Sequence, residues 1–279
     1  MRQFYTLIMV FFTAFTPLKA QYLEVGTLVG GTSYMGDLQH GASDLGGFGP
    51  TGGIILRMNY TPHIAVKGTA IYGSFDATDR HKLGDSRARN LEVQTTYYEL
   101  AATAELNLTK FDIIDGHITA PYVFVGLAGM YFTPKARYEG RYISLRPLGT
   151  EGQTLNGGKA YSPFTVAIPF GLGVKMSLNR RMNIGFECGF RYTFTDYLDD
   201  ISGVYPNIDE LVKQNPVAAE MSYRTPQYYG KKLENPVGQL RGDKAKYDIY
   251  YFIGGSLTIN LGSRQTMEFN RSYRSFFKS

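Results

Sequence analysis

The sequence predicts an all-β protein, an eight-stranded antiparallel transmembrane β-barrel with long extracellular loops. Three observations predict it. Several segments alternate apolar and polar residues over about 15 positions, the connections between them are alternately short and long, and the chain begins with a secretory signal. Soluble strands usually run about 5–6 residues, whereas a tilted strand that crosses a bilayer needs about 9–11. The long alternating segments therefore favour strands that span a membrane.

The beginning of the chain is typical of a signal peptide, because Arg2 precedes an apolar stretch over residues 4–15 and a small residue, Ala20, precedes the expected cleavage site. A membrane-anchor helix is the alternative, but the apolar stretch is too short to span a bilayer comfortably. Cleavage lowers the formal charge from +5 to +3, too small a charge to indicate nucleic-acid binding. We expect a signal peptide at 1–20, the barrel at 21–261 and a periplasmic tail at 262–279.

Eight segments carry the period-two pattern of a strand. They are Tyr22–Gly31, Thr51–Tyr60, Ile64–Phe75, Leu91–Leu108, Pro121–Thr133, Phe164–Leu178, Met182–Phe194 and Tyr247–Leu261. The last three have the strongest alternation, whereas Pro121–Thr133 has apolar residues in both phases, so its facing stays open. In Met182–Phe194 one face is apolar and the other carries Glu187 and Arg191. We expect the apolar face to meet lipid and the charged face to line the lumen.

The connections alternate in length. Those at 61–63 and 179–181 are tight, that at 109–117 is moderate, and those at 32–50, 76–90, 134–163 and 197–246 are long. Short turns at one end and long loops at the other are typical of outer-membrane barrels with an even number of strands and periplasmic termini. The alternatives are a soluble β-sandwich and a periplasmic lipocalin-like barrel. The single cysteine, Cys188, excludes an internal disulfide.

Eight charged residues share the inward phase of the predicted strands: Glu24, Arg57, Lys67, Glu99, Glu105, Lys175, Glu187 and Arg191. An eight-stranded barrel is just wide enough to be filled by its own side chains. Four acids and four bases therefore predict a lumen plugged by ion pairs rather than an ion-selective pore. The first tight turn places Arg57 opposite Lys67, an unfavourable pair that Glu24 and either Glu99 or Glu105 can relieve. The second places Lys175 diagonal to Glu187.

No catalytic arrangement is evident in the sequence. The four histidines fall in predicted loops or turns and form no nucleophilic or metal-binding spacing: His40, His63, His81 and His117. Asp196, Asp199 and Asp200 could bind calcium or act as paired carboxylates, but we favour a polar anchor for the loop, because Asp residues routinely fix turns. We therefore expect no enzyme activity, cofactor, metal site, small-molecule substrate or nucleic-acid partner.

The longest loop contains two further features. Asn207, followed three residues later by Glu210, predicts a capping box and a short helix over Ile208–Lys213. The RGD tripeptide at 241–243 is too short to indicate integrin binding, and we interpret it as leading into the last strand.

Four stretches resemble the PorG family of the type IX secretion system. They are EVGTLVGGTSYMGDL (24–38), YVFVGLAGMYFTPKA (122–136), TDYLDDISGVYP (195–206) and RGDKAKYDIYYFIGGSLTINL (241–261). The resemblance covers nearly the whole chain after the signal peptide. It implies an outer-membrane barrel, in contact with outer-membrane lipids, that associates with the periplasmic PorK/PorN ring and is not the conducting pore.

No catalytic or ligand-binding residues come with this resemblance. The exposed candidates for docking the ring are the short periplasmic turns and the basic tail, that is Arg180, Arg181, Arg271 and Arg274. The tail departs from the family pattern, in which the chain ends soon after the last strand, so a disordered end is the alternative. Other functions that stay open are a small OmpA-like surface barrel whose loops bind a partner, and a narrow porin.

Overall fold

The computed structural model describes residues 22–38, 47–79, 85–243 and 247–261. The predicted signal peptide at 1–20 and the predicted tail at 262–279 lie outside the described residues. Four of the residues singled out above also lie outside them: His40, His81, Arg271 and Arg274. Within the described ranges, no helix is long and apolar enough to cross a membrane.

Nine antiparallel strands form one sheet in the described part of the chain. They are β1 (Tyr22–Met35), β2 (Phe48–Asn59), β3 (Ile64–Thr78), β4 (Glu92–Asn107), β5 (Thr119–Tyr138), β6 (Arg141–Ser144), β7 (Phe164–Ser177), β8 (Met182–Thr193) and β9 (Ile249–Leu261). All except β6 pair in chain order, and the pairing of β1 with β9 closes the ring. Closure leaves no open edge, so the predicted eight-stranded antiparallel barrel is confirmed.

The two ends of the barrel differ in their connections. Short turns join β2 to β3 (60–63), β4 to β5 (108–118) and β7 to β8 (178–181) at what we call the turn end. The long connections start and end at what we call the loop end, and their described residues are 36–38, 47, 79, 85–91, 139–163, 194–243 and 247–248. The predicted alternation of short turns and long loops is therefore confirmed.

Some strands extend further toward the loop end than the sequence predicted. β1 continues to Met35, β3 continues to Thr78, and β5 continues to Tyr138 before turning back into β6. The turn between β5 and β6 consists of Glu139 and Gly140, whose φ angles of 46° and 81° are those of a tight hairpin turn. These extensions were missed because the apolar alternation that located the strands fades beyond the apolar part of the barrel.

An apolar belt surrounds the barrel, because each of its eight strands exposes large apolar side chains on the outward face. Examples, in chain order, are Val29, Ile54, Ile64, Leu100, Leu127, Leu172, Phe186 and Leu257. The apolar face of β8 points outward and Arg191 points inward, as predicted. β5 has apolar residues on both faces because Val125 and Leu127 face outward while Tyr122 and Phe124 fill the lumen.

Among the described residues, four short α-helices lie in the long connections: α1 (Asp85–Ala88), α2 (Ile208–Gln214), α3 (Pro216–Ser222) and α4 (Thr225–Tyr229). The helix predicted over 208–213 is confirmed as α2. Asp209 N–H donates to the Asn207 side chain (3.1 Å), and the Asn207 amide donates to Glu210 (3.2 Å). The other three helices span at most seven residues, too short for an apolar period to be detected.

The connection between β8 and β9 folds over the loop end and continues the core of the barrel. Leu198, Ile201 and Met221 from this connection are buried in the same apolar cluster as barrel residues such as Phe75 and Tyr97. We call the described part of this connection, residues 194–243 and 247–248, the cap.

Candidate functional site

The structure places all eight charged residues predicted to face inward inside the lumen. The Glu187 side chain is 16% exposed, and the other seven are at most 5% exposed. Ion pairs join them into two groups. Glu24, Arg57, Lys67, Glu105, Lys175 and Glu187 form the lower cluster, and Glu99 and Arg191 form the upper pair.

Glu105 is the centre of the lower cluster. Its carboxylate lies 3.0 Å from the Arg57 guanidinium, 3.3 Å from the Lys67 ammonium and 3.1 Å from the Lys175 ammonium. Glu24 takes a second contact from Arg57 at 2.9 Å, and Glu187 contacts Lys67. Three acids and three bases make this cluster formally neutral, so it offers no net charge to attract either sign of ion.

The strand register explains this grouping. Arg57 lies directly opposite Lys67 and also directly opposite Glu24. The second acid that relieves the Arg57–Lys67 repulsion is Glu105 rather than Glu99. Lys175 is diagonal to Glu187 in the β7–β8 register, as expected, but its amine contacts Glu105 on another wall of the barrel. In a barrel this narrow, contacts across the lumen compete with contacts along the sheet.

Two aromatic side chains of β5 complete the lower cluster. The Tyr122 hydroxyl donates to Glu187 (3.0 Å), and the Lys175 amine lies 5.2 Å from the centre of the Tyr122 ring. The Lys67 amine lies 4.6 Å from the centre of the Phe124 ring, within cation–π range. Gly173 faces Tyr122, and a Cβ at that position would lie 2.5 Å from the ring. Sequence reasoning missed these aromatics because the phase of β5 was open.

The turn end of the lumen is closed by polar side chains and one aromatic ring. The Asn59 amide and the Thr258 hydroxyl donate to Glu24 at 2.6 and 2.7 Å. Phe111, from the turn between β4 and β5, is buried with its ring centre 5.2 Å from the Lys175 amine. The lower cluster is therefore covered toward the turn end.

The upper pair lies nearer the loop end. Arg191 lies 3.6 Å from Glu99, which also accepts a hydrogen bond from the Tyr250 hydroxyl. Between the two groups lies a cavity of about 20 Å³, lined by Leu28, Ile55 and other lumen residues. A cavity of that volume has room for about one water molecule and no larger solute.

A hydrogen-bonded latch attaches the cap to the barrel. The hydroxyl oxygen of Tyr34, at the loop end of β1, lies 2.8 Å from Asp199 and 2.7 Å from Asp248. A phenol carries one proton, so the second contact needs a proton on one of the two carboxyls. Burial raises the pKa of both carboxyls, which favours the protonated form.

Arg241 anchors the cap from within. Its guanidinium donates to the Asp200 carbonyl (2.6 Å) and to Glu151 (3.1 Å), while the Tyr161 hydroxyl donates to the Asp200 carboxylate (2.7 Å). Arg241 is the first residue of the RGD tripeptide and is only 2% exposed, so a receptor could not reach it. The tripeptide lies inside the cap rather than at the start of β9.

Two of the three aspartates predicted to anchor the loop, Asp199 and Asp200, occupy anchoring positions. The Ile201 N–H donates to Asp199 (3.0 Å), and Asp200 binds Tyr161 as described. Asp196 is 7% exposed, and its Oδ2 atom has no hydrogen-bond partner. Burial raises the pKa of Asp196 to about 7 and the pKa of Asp200 to about 6. Among the described residues, no group of three His, Cys, Asp or Glu side chains is placed to hold a metal ion.

The remaining predicted residues lie at the turn end. Arg180 and Arg181 are exposed in the turn between β7 and β8. His63 lies in the turn between β2 and β3, and its ring nitrogen is 3.1 Å from the Asn107 carbonyl. The His117 backbone pairs with Asp112 in the β4–β5 turn.

A family model described as a domain of unknown function, DUF6089, matches residues 2–215, about three quarters of the chain. No curated protein matches the chain.

Similar solved structures are small barrels of low sequence identity. OprG from Pseudomonas aeruginosa is 10% identical (TM-score 0.38), with 88% of this chain and 98% of that chain covered. Neisserial surface protein A is 9% identical (TM-score 0.38; 86% and 96% covered), and Ail of Yersinia pestis is 8% identical (TM-score 0.35; 86% and 97% covered). The assignment of the barrel depends on the strand pairing of this chain and not on these likenesses.

We predict that Glu105→Gln lowers the stability of the folded barrel strongly, by about 3–5 kcal/mol, because it leaves three buried cations without their shared carboxylate. Glu187→Ala also weakens the barrel, but less, since Lys67 keeps its contact with Glu105. The measurement is the temperature at which the compact band on a gel converts to the unfolded band. Glu234→Gln, at an exposed position of the cap, is the matched control. Equal conversion temperatures for all four proteins would contradict the prediction.

We predict that the cap closes more firmly in acid. A carboxyl whose pKa is raised in the closed cap stabilises it fully below about pH 4, and this stability is lost as the pH rises to about 7. Protection of the Leu198 and Ile201 amides against hydrogen exchange, corrected for the intrinsic rate, should fall about tenfold or more between about pH 5 and pH 8. Asp196→Asn should flatten this dependence and Glu234→Gln should not. Protection that is flat or rises with pH would contradict the raised pKa of Asp196 in the closed cap.

Proposed function

The chain belongs to the DUF6089 family, and from this premise we propose that it is a non-conducting outer-membrane barrel that anchors or positions the periplasmic PorK/PorN ring of a type IX secretion system. The observation that carries the proposal is the filled lumen. Neutral ion-pair groups, aromatic rings and the cap occupy it, and the cavity of about 20 Å³ between those groups holds no more than a water molecule. In the described part of the chain, a lumen filled in this way favours an anchor over a pore.

The apolar belt supports the location in a membrane. Soluble proteins rarely expose a contiguous apolar surface of this kind, and a closed barrel is one of the two backbone forms that lipid tolerates. The signal-like start of the chain supports export to the outer membrane. In that orientation the turn end faces the periplasm and the loop end faces outside.

The secretion role is supported by the four sequence stretches that resemble the PorG family. Two of them, 195–206 and 241–261, contain the anchoring residues Asp199, Asp200, Arg241 and Asp248. The stretch 24–38 contributes Tyr34, which contacts both latch carboxyls. Three of the four stretches that carry the resemblance thus contain residues that attach the cap to the barrel.

A second candidate function is binding of a partner at the loop end, in the manner of small OmpA-like surface barrels. It is favoured by the cap, where α2, α3 and residues 232–235 border an open groove of about 980 Å³. Exposed apolar residues of the cap include Val237 and Leu240. We rank this role second because the groove carries a mixture of acids and bases that indicates no class of ligand.

We predict that photo-crosslinkers placed at Arg180 or Arg181 in intact cells capture a periplasmic ring protein, because these side chains are exposed at the turn end. The matched control is a crosslinker at Lys213, exposed on α2 at the loop end. Mass spectrometry of the products identifies the partners. If Arg180 and Arg181 yield no ring protein while the ring is intact, the secretion role is wrong. If Lys213 alone yields a defined partner, the surface-binding role replaces it.

A further inference from the structure

An aromatic row marks the height at which the membrane ends near β5. Tyr72, Tyr98, Tyr131 and Phe164 lie directly opposite one another on the four neighbouring strands β3, β4, β5 and β7. All four are about half exposed on the outward face. Aromatic residues gather at the boundary between the apolar core and the headgroups of a bilayer. The row therefore places that boundary at the loop end of the apolar belt.

Two cations follow Tyr131 on the same outward face of β5. Lys135 and Arg137 lie four and six residues beyond it, or about 10 and 15 Å further along the barrel axis at a strand tilt near 40°. Long basic side chains reach back toward the membrane boundary by several ångströms. Their charged groups thus fall in or at the outer edge of the headgroup layer, which is roughly 5–8 Å thick on each side of a bilayer.

On the β5–β6 hairpin these cations are flanked by polar residues across β6. Lys135 lies between Gln94 of β4 and Ser144 of β6, and Arg137 lies opposite Tyr142. Tyr142 is 53% exposed. Neither cation forms an ion pair with any residue that the structure describes. We call Lys135, Arg137 and Tyr142 the hairpin patch.

The charge of the β5–β6 hairpin differs from that of the neighbouring strands β3 and β4 at the same end of the barrel. Three bases, Lys135, Arg137 and Arg141, and one acid, Glu139, give the hairpin a net charge of +2. At the same end of the neighbouring strands, the outward residues Asp76 and Glu92 are acidic, and Asp76 is already bound by the Gln94 amide (2.9 Å). The positive charge is therefore confined to one side of the rim.

We propose that the hairpin patch binds the phosphate groups of anionic lipids in the outer leaflet. Arg presents a planar fork that fits a phosphate and Lys supplies a point charge, so the pair can hold one phosphorylated headgroup. Tyr131 covers the adjoining region where the headgroup meets the acyl chains, and Tyr142 lies beside Arg137 at the outer edge of the headgroup layer. A lipid bound here stabilises the extended hairpin, from which the chain continues into the segment that bears Glu151 and Tyr161, two partners of the cap anchor.

The inference rests on the proposed membrane location and is independent of the secretion role. Loss of the crosslinks to a ring protein would leave it intact, and loss of lipid binding would leave the secretion role intact.

The test is native mass spectrometry of the full-length mature protein titrated with lipid A that carries phosphates and with the same lipid after phosphate removal. The variant Lys135→Gln with Arg137→Gln should bind phosphorylated lipid A about 30-fold more weakly than the unmodified protein, at about 1 kcal/mol for each basic residue. Lys213→Gln with Lys232→Gln removes the same charge from exposed positions of the cap and should bind as the unmodified protein does.

Two further comparisons keep the result interpretable. Lys135→Arg with Arg137→Lys keeps the charge and should retain most of the affinity, which separates lost charge from a disturbed hairpin. The lipid without phosphates should bind the unmodified protein and both Gln variants equally weakly. Equal binding of phosphorylated lipid A by the two Gln variants, or equal binding of the two lipids by the unmodified protein, would overturn the proposal.

Discussion

An eight-stranded barrel encloses a lumen only as wide as its own side chains, so every charged group that faces inward must find its partner there. In this protein Glu99 and Arg191 pair with each other, and the other six charged groups gather around one carboxylate. Glu105 contacts three cations that come from β2, β3 and β7, and those cations bring Glu24 and Glu187 into the same cluster. Since the strands that bear these six residues make up most of the wall, the cluster fixes the cross-section of the barrel as well as filling it.

Because this cluster fills the lumen, we place the function on the other surfaces of the barrel: the outer wall, the turn end and the loop end. The apolar belt and the aromatic row suit a membrane. The short turns expose Arg180 and Arg181 at one end, and the cap closes the other end through Tyr34, Asp199 and Arg241. A filled barrel that has an apolar wall and different chemistry at its two ends suits the proposed role of an anchor.

The sequence allowed the barrel, its eight strands and the inward phase of its charges to be predicted, because period-two alternation is local information and survives in long strands. The ion-pair partner of each charged residue was harder to predict from the sequence. Lys175 contacts Glu105 instead of Glu187 because distances across a closed lumen depend on all eight strands together. Tyr122 and Phe124 escaped prediction for a related reason: a strand that is apolar on both faces carries no local sign of which face is inside.

In the cap, too, contacts between near neighbours in the chain could be predicted and contacts between distant residues could not. Asn207 and Glu210 predicted α2 because capping is a contact between near neighbours. The latch joins Tyr34 to Asp199 and Asp248, residues far apart in the chain, and the arginine of the RGD tripeptide is buried against Asp200 and Glu151. Nothing in a short motif indicates whether it will be covered by another part of the chain, so only the folded structure shows that this arginine is inaccessible.

The central claim is that the lumen is closed, and conductance tests it most directly. The full-length mature protein, inserted in planar lipid bilayers, should show no stepwise current at any applied voltage that the bilayer withstands. Arg241→Ala, which loosens the cap, should also show none, because the lower cluster still fills the lumen. Reproducible current steps in the unmodified protein, larger in Arg241→Ala, would contradict the account and identify the barrel as a gated pore.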